Sequence, residues 1–300
     1  MTSRKIRTYA DVRHDTGSGI LEQVVAQGGR LAERLAGVER LVVVASGKGG
    51  VGKSLVAANL SAALAMRGLA VGAADADLNG PSLGRMLGVA GSRLAVTESG
   101  VVPAEGAQGV RVMSMDLLLA SDEAPLRWRE PEMGAFAWQS TLEAGALREF
   151  LADTEWGALD ALVVDLPPGT DKLQRMLQLV PRPDALVLVT TPTEVARFVV
   201  GKSIALAREA NVPRVGLVAN MAGHLCEHCG RPTSLFDPEP AVRMAADAGV
   251  PLWATVPFDP AAGAETDGGR PIVGADPTSP AARSFEELAD RVLQATGEGP

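Results

Sequence analysis

The stretch of sequence with the clearest chemistry is rich in glycine and carries two lysines. Residues 46–54 read Ser-Gly-Lys-Gly-Gly-Val-Gly-Lys-Ser, which fits the pattern G-x-x-x-x-G-K-[ST] from Gly47 to Ser54. Glycines let a loop turn its N–H groups toward phosphate oxygens, and a helix after the loop adds its positive dipole end. Lys53 would neutralise the β- and γ-phosphates, and the Ser54 hydroxyl would ligate Mg²⁺. We therefore predict a nucleoside triphosphate site formed by Gly47, Lys48, Gly49, Gly50, Val51, Gly52, Lys53 and Ser54.

Three aspartates follow predicted strands and complete the chemistry of that site. Asp75 and Asp77 end one short apolar run, and Asp165 ends another. The carboxyl ends of parallel strands face the ligand crevice of an α/β sheet. An acid at that edge can orient the attacking water, and another can hold Mg²⁺ through its hydration shell. We predict Asp165 in the second role.

Cys226 and Cys229 form the other chemically distinctive group. They are the only cysteines of the chain, so in a reducing compartment their spacing indicates a metal or redox site. A [4Fe–4S] cluster or a structural Zn²⁺ usually takes four ligands, which a two-fold dimer would supply as two plus two. A thioredoxin-like redox pair and a Zn²⁺ clasp between subunits stay open as alternatives. A four-ligand site within one chain, completed by His224 and His228, would be cramped.

The elements that must position these residues follow an alternating α/β rhythm. Helical patterns lie between short apolar runs of the kind that forms strands covered on both faces. The pattern predicts a mostly parallel sheet with helices on both faces and right-handed crossovers. The predicted strands are 41–45, 70–74, 161–164, 185–189, 215–218 and 252–256. The main predicted helices are 53–67, 194–210 and one around 285–293. We interpret residues 90–140 as an excursion from the sheet.

Composition narrows the classes of protein that fit. The chain has 300 residues and a formal net charge of −8, which argues against a sequence-independent grip on nucleic acid or an anionic membrane. No apolar run approaches the roughly 20 residues of a membrane helix, and the start lacks a signal-peptide pattern. We expect a cytoplasmic protein without nucleic-acid or membrane partners. Its predicted parts are an N-terminal extension and helix, 1–39, and a nucleotide-binding domain, 40–297, that includes the cysteine pair.

Taken together, these motifs resemble those of a known superfamily. The loop with its extra Lys48 resembles the deviant Walker A motif of the MinD, ParA and nitrogenase iron protein superfamily. Further stretches resemble one branch, the Mrp/ApbC-type iron–sulfur carrier ATPases, over about residues 40–295. They read Asp-Ala-Asp-Leu-Asn-Gly-Pro-Ser at 75–82, Asp-Leu-Pro-Pro-Gly-Thr at 165–170, Thr-Thr-Pro-Thr-Glu-Val-Ala at 190–196 and Gly-Leu-Val-Ala-Asn-Met at 216–221.

The resemblance implies roles for individual residues. Lys48 would reach across a dimer to the partner's nucleotide and, with Lys53 and Asp77, catalyse hydrolysis. Asp77 would position water. The Mg²⁺ ion would be bound by Ser54 and Asp165, with Asp75 in a supporting role. Asn220 would pair with adenine, which favours ATP. Cys226 and Cys229 would hold a [4Fe–4S] cluster between subunits.

The function implied is that of a homodimeric, ATP-hydrolysing carrier that passes its cluster to apo iron–sulfur proteins. The sequence departs from the family pattern in two places. Asp171-Lys172 stands where Gly-Asp is usual, and residues 128–133 also differ. Both departures bear on the rate of ATP hydrolysis and on how loops near the nucleotide respond to it. Two other classes remain in view: a positioning ATPase of the ParA/MinD kind, and a zinc-clasped dimer with a P-loop domain. The recipients and the role of residues 1–18 do not follow from the sequence.

Overall fold

Apolar runs of Val, Leu and Ala form the strands of a central sheet. The computed structural model describes residues 29–77, 80–118, 147–180, 183–225, 232–233 and 239–297. The strands are β1 Leu41–Ser46, β2 Val71–Asp75, β3 Ala95–Val96, β4 Val101–Val102, β5 Ala104–Glu105, β6 Arg111–Met113, β7 Ala161–Asp165, β8 Ala185–Thr190, β9 Val215–Leu225, β10 Pro232–Thr233 and β11 Leu252–Phe258. Within the described ranges, nine of them form one sheet in the order β10-β9-β8-β1-β7-β2-β6-β5, with β11 also paired to β9.

The helices pack on both faces of this sheet, as predicted. They are α1 Lys53–Ala65, α2 Leu83–Met86, α3 Thr170–Leu179, α4 Glu194–Glu209, α5 Glu239–Ala248, α6 Pro260–Asp267, α7 Ile272–Ala275 and α8 Pro280–Gly297. Successive β1 residues alternate between two cores: Val42 and Val44 face the core of α1 and α8, while Val43 faces that of α3 and α4. Short helical segments at 29–35 and 147–153 add to the second core.

Parallel pairing directs the ends of the inner strands to one edge. β1 pairs in parallel with β7 and β8, and β2 with β7 and β6, whereas β5 and β10 join as antiparallel strands. Asp75 and Asp165 end β2 and β7 and are register partners. The α/β fold class with a mostly parallel sheet is therefore confirmed.

Two details of the predicted sheet were wrong. The segment 90–140 is not wholly an excursion, because β5 and β6 extend the sheet beside β2. β6 is only three residues long and begins with Arg111, so it shows no apolar run. The strand predicted at 215–218 continues to Leu225, because its second half pairs with β11 after β8 has ended. The polar residues Asn220 and His224 interrupt the apolar run, so the sequence does not predict this continuation of the strand.

No helix in the described ranges is long and apolar enough to cross a membrane. The closing helix α8 is amphipathic, and its apolar side chains are buried against the body of the protein. They include Phe285, Leu288 and Val292, which belong to the core around α1. The apolar face of α8 is thus already covered.

Candidate nucleotide site

The glycine-rich loop connects the end of β1 to the start of α1. Gly50 and Gly52 both have φ of 77°, a left-handed conformation that favours glycine, and α1 begins at Lys53 directly after Gly52. A Cβ on Gly47 would lie 2.0 Å from Val199 Cγ1, so only glycine lets the loop pack this closely on α4. The sequence thus builds the tight turn and the helix start that anion binding requires.

A cavity of about 280 Å³ lies over this loop. Its lining includes every predicted loop residue except Gly47, and it also includes Asp77. Ser46, Gly80, Ser82 and Pro168 belong to motifs quoted above, but their part in the cavity was not predicted, and no motif includes Leu55 or Met86. The lining is Ser46, Lys48, Gly49, Gly50, Val51, Gly52, Lys53, Ser54, Leu55, Asp77, Gly80, Ser82, Met86 and Pro168.

The side chain of Lys53 reaches Asp165, at the end of β7. Its Nζ lies 2.5 Å from Asp165 Oδ1 and 3.3 Å from Ser54 Oγ. Lys53 is 7 % exposed and Asp165 is fully buried. Burial raises the pKa of Asp165, against the lowering effect of Lys53 and Ser54. Lys53 and Asp165 therefore form a buried ion pair.

The fit of a magnesium ion can be judged from the oxygens beside Lys53. Asp165 Oδ2 is buried and has no hydrogen-bond partner, a costly arrangement that a bound ion or its water would relieve. The hydroxyl of Ser54 lies on the same side, next to Lys53. Hard oxygen donors of this kind suit Mg²⁺, so Ser54 and Asp165 fit the predicted ion.

Asp75 is engaged in a different way. Its Oδ2 accepts hydrogen bonds from the backbone N–H groups of Ser82 and Leu83, each at 2.8 Å, and from Ser114 Oγ at 3.3 Å. Its Oδ1 accepts from Asp77 N at 3.1 Å. The buried carboxylate therefore ties the segment that follows β2 to the sheet. Its predicted place in the magnesium set stays a prediction.

The protonation of Asp75 gives a testable pH dependence. Burial, and next the negative charge of Asp165, raise the pKa of Asp75 from 3.8 to about 7, although three backbone N–H bonds act in the opposite direction. Between those values the folded chain binds more protons than the unfolded chain, so its stability falls as pH rises through that window. In nucleotide- and magnesium-free protein, we expect Asp75→Asn to flatten the fall in the free energy of unfolding from pH 4 to pH 7.

Urea unfolding at several pH values measures this effect. Parallel profiles for Asp75→Asn and the parent would contradict the assignment.

Lys48 and Asp77 both line the cavity. Lys48 is exposed, and its backbone carbonyl accepts a hydrogen bond from Ser46 Oγ at 2.9 Å. Asp77 is half-buried, and its Oδ1 accepts from Gly80 N at 3.2 Å. Gly169, at the start of α3, donates its N–H to Ser46 O at 2.9 Å, which joins the segment after β7 to the same loop. The structure thus brings together the residues predicted for phosphate and water.

Asn220 lies under the loop. It is 1 % exposed, and its Nδ2 donates to Val51 O at 2.9 Å. It is absent from the cavity lining. One amide hydrogen is therefore already committed to the loop backbone, and the predicted pairing of Asn220 with adenine stays a prediction.

The cysteine pair falls outside the described residues. The residues on either side are placed: Leu225 of β9 pairs with Pro232 of β10, and His224 with Thr233. Residues 226–231, which include Cys226 and Cys229, therefore connect two antiparallel paired strands. His224 packs against Phe258 with ring centroids 6.2 Å apart.

Comparison with known proteins decides the family. Residues 37–293 match the model of a family described as "ParA: NUBPL iron-transfer P-loop NTPase". The chain belongs to this family of iron-transfer P-loop NTPases. The resemblance of its motifs to iron–sulfur carrier ATPases is thereby confirmed.

Individual relatives of this iron-transfer P-loop NTPase cover most of its length. It is 38 % identical over 274 residues to the iron-sulfur cluster carrier protein of Saccharolobus solfataricus, covering 91 % of this chain and 89 % of the relative. It is 43 % identical over 258 residues to that of Pseudomonas fragi, covering 85 % of each. A nucleotide-binding protein of Archaeoglobus fulgidus, solved with ADP, superposes with a TM-score of 0.69 at 35 % identity, over 81 % of this chain and 91 % of that one.

Proposed function

We propose that this P-loop NTPase is an ATP-hydrolysing iron–sulfur cluster carrier that holds a [4Fe–4S] cluster between two subunits and passes it to apo-proteins. The observation that carries the proposal is the coexistence, in one family member, of a complete phosphate loop with its acidic edge and a Cys-x-x-Cys connection at the end of β9. The first site binds and hydrolyses ATP, and the second binds the cargo. A cytoplasmic location accords with this function and stays a prediction.

The chemistry at the nucleotide site follows from the charges around it. The loop N–H groups and Lys53 would bind the β- and γ-phosphates. Asp165 and Ser54 would hold Mg²⁺, which when bound neutralises charge on the phosphate oxygens. Asp77, at the cavity rim, would orient the attacking water, while Asp75 keeps the segment carrying Asp77 fixed to the sheet.

The surface around Lys48 favours a homodimer. The second turn of α4 packs on the loop through Val199, and the adjacent Phe198 is 77 % exposed. An exposed aromatic side chain on the helix that packs against the loop is typical of a surface that a partner covers. We propose that a second copy covers it and that its Lys48 completes the site. The same two-fold arrangement would bring four cysteines together.

The rival classes have less support in the described residues. Membrane docking of the MinD kind uses an amphipathic helix, but the apolar face of α8 is already buried. A Zn²⁺ clasp would use the same four thiolates as the cluster, so metal analysis separates it from the carrier. No described contact favours either rival.

The nucleotide site is tested by Lys53→Ala. We expect the affinity for ATP to fall by about 100-fold, because the variant loses a buried charge at the phosphates. Since Lys53 also neutralises Asp165, the matched control is Asp165→Asn, which removes the same ion pair and keeps the lysine. Calorimetric titration with ATP in the absence of Mg²⁺ measures the difference. Equal affinity in Lys53→Ala and the parent would refute the site.

The carrier role is tested by transfer. Protein loaded with cluster without oxygen is mixed with an apo [4Fe–4S] acceptor, and the acceptor's own spectrum is followed after its separation. We expect the acceptor to gain its cluster faster from loaded protein than from equal free iron and sulfide. Equal rates would show that the chain stores metal without delivering it.

A further inference from the structure

Ser46 is the last residue of β1, and its hydroxyl contacts the backbone of Lys48. We propose that Ser46 is a positioning residue for Lys48, which it fixes in its own subunit so that the lysine can act on the nucleotide of the partner subunit. The inference rests on the proposed function, because it takes Lys48 as the lysine that acts across the dimer. The motif that predicts the phosphate loop begins at Gly47 and gives no role to Ser46.

The residues next to Lys48 give its backbone little stiffness. Gly47 precedes it, and Gly49 and Gly50 follow it. Glycine has the greatest backbone freedom of all residues, so fixing a lysine among three glycines in one orientation costs much conformational entropy. The side chain of Lys48 is exposed. The accurate placement that catalysis requires must therefore come from contacts to the loop backbone.

Ser46 supplies such a contact. Its Oγ donates a hydrogen bond to the carbonyl oxygen of Lys48 at 2.9 Å. That carbonyl belongs to the planar peptide unit shared with Gly49, so the bond sets the rotation about the Cα–C bond of Lys48. In a trans peptide the C=O and N–H bonds point in opposite directions, and the N–H of Gly49 is therefore directed away from the Ser46 hydroxyl. One hydrogen bond thus orients both the lysine and an N–H group of the phosphate loop.

Ser46 is itself fixed on the sheet. It is 3 % exposed, and it pairs with Val189 of β8 in the parallel register. Its own carbonyl accepts the N–H of Gly169 at 2.9 Å, directly before α3 begins. A buried hydroxyl without a partner would be costly, and the bond to the Lys48 carbonyl removes that cost. The serine therefore provides a rigid reference point to which the loop is attached.

Packing on both sides of Lys48 acts together with this bond. A Cβ on Gly47 would lie 2.0 Å from Val199 Cγ1, so α4 lies directly against the residue before the lysine. A Cβ on Gly49 would lie 3.8 Å from Pro168 Cγ, an ordinary contact distance. Packing of this kind limits where the loop lies. The hydrogen bond from Ser46 adds a restraint on how the peptide after Lys48 is rotated.

The first test is the kinetics of Ser46→Ala. We expect kcat for ATP hydrolysis to fall about 10-fold or more, because a small displacement of a catalytic group lowers the rate steeply, while the affinity for ATP stays within about twofold of the parent. The matched control is Ser61→Ala, which removes a buried hydroxyl of α1 that bonds the carbonyl of Ala57 at 2.8 Å. The control is expected to keep the parental kcat. An unchanged kcat in Ser46→Ala would overturn the inference.

Mixing subunits shows whether Ser46 acts through the lysine. In a dimer of Ser46→Ala with Asp77→Asn, the Ser46→Ala subunit keeps its own Asp77 and receives a lysine positioned by an intact Ser46. Random mixing makes half of the dimers mixed, so we expect about one quarter of the parent activity. A serine that serves only the site of its own subunit would give about one twentieth or less, given a 10-fold defect. That result, in an assay where Asp77→Asn complements Lys48→Ala, would overturn the inference.

If Asp77→Asn does not complement Lys48→Ala, the action of Lys48 across the dimer is refuted, and that action belongs to the proposed function. The variant that carries both Ser46→Ala and Lys48→Ala then decides the role of the serine. We expect the serine substitution to lower kcat by less than about twofold once Lys48 is absent, because residues that act together are not additive. The same fall in both backgrounds would overturn the inference.

A measurement without hydrolysis separates the inference from the proposed function. Trypsin cleaves after lysine, and cleavage of a folded chain follows local opening of its backbone. We expect cleavage after Lys48 to be about 2- to 10-fold faster in Ser46→Ala than in the parent or in Ser61→Ala, because a hydrogen bond of ordinary strength is lost. A parent that hydrolyses no ATP would refute the proposed function. Equal cleavage after Lys48 in all three proteins would overturn the inference about Ser46.

Discussion

Replacing Lys48 with alanine is expected to lower the rate of ATP hydrolysis by about 100-fold or more, while the affinity for ATP changes little. The reason is that a cation supplied by the partner matters most when charge develops on the transferred phosphoryl group, as an arginine finger does. Steady-state phosphate release and equilibrium nucleotide binding measure the two effects. Arg291→Ala is the control, because it removes an exposed cation from α8, which does not line the cavity.

Mixing Lys48→Ala with Asp77→Asn tests whether the lysine acts across the dimer. In a mixed dimer, the Lys48→Ala subunit keeps its own Asp77 and receives an intact Lys48 from its partner, so one site is complete. Random mixing makes half of the dimers mixed, and we expect recovery of about one quarter of the parent activity. A lysine acting within its own subunit would give no recovery. A parental rate in Lys48→Ala alone would remove Lys48 from catalysis.

Replacing Cys226 or Cys229 with serine is expected to abolish stable cluster binding. Because both subunits of a two-fold dimer lose a ligand at once, each single substitution leaves two thiolates where a [4Fe–4S] cluster needs four. ATP binding is expected to stay at the parental level, because the phosphate loop lies between β1 and α1. Ultraviolet–visible spectra after anaerobic reconstitution measure the first effect, and nucleotide titration the second. A cluster retained in the double serine variant would show that Cys226 and Cys229 are not the ligands of the cluster.

The phosphate loop and most of the sheet were predictable because their signals are local. Glycines at left-handed positions such as Gly50 and Gly52 are required by the turn itself, and the buried strands are continuous apolar runs. Asp165 could be placed at the sheet edge for the same reason, since parallel strands end together. These features depend on a few neighbouring residues, and the structure places them as the pattern indicates.

The remaining features depend on partners distant in the sequence. The hydrogen bond between Asp75 and Ser114 exists because β6 pairs with β2, and β6 has no strand signal of its own. The contact of Asn220 with Val51 joins two segments that only the sheet order brings together. Likewise, the ion pair of Lys53 with Asp165 joins the start of α1 to the end of β7. Such roles follow from tertiary contacts, which periodicity does not encode.

The central claim is that a dimer of this chain holds one [4Fe–4S] cluster on four cysteines, and one measurement tests it most directly. Protein reconstituted without oxygen is passed through a size-exclusion column, and iron, sulfide, zinc and protein are quantified across the peak. We expect a dimer that carries about four iron and four sulfide and is free of zinc, with cluster loading increasing the share of dimer. A dimer that holds one zinc and no iron after reconstitution would contradict the account and favour a structural clasp.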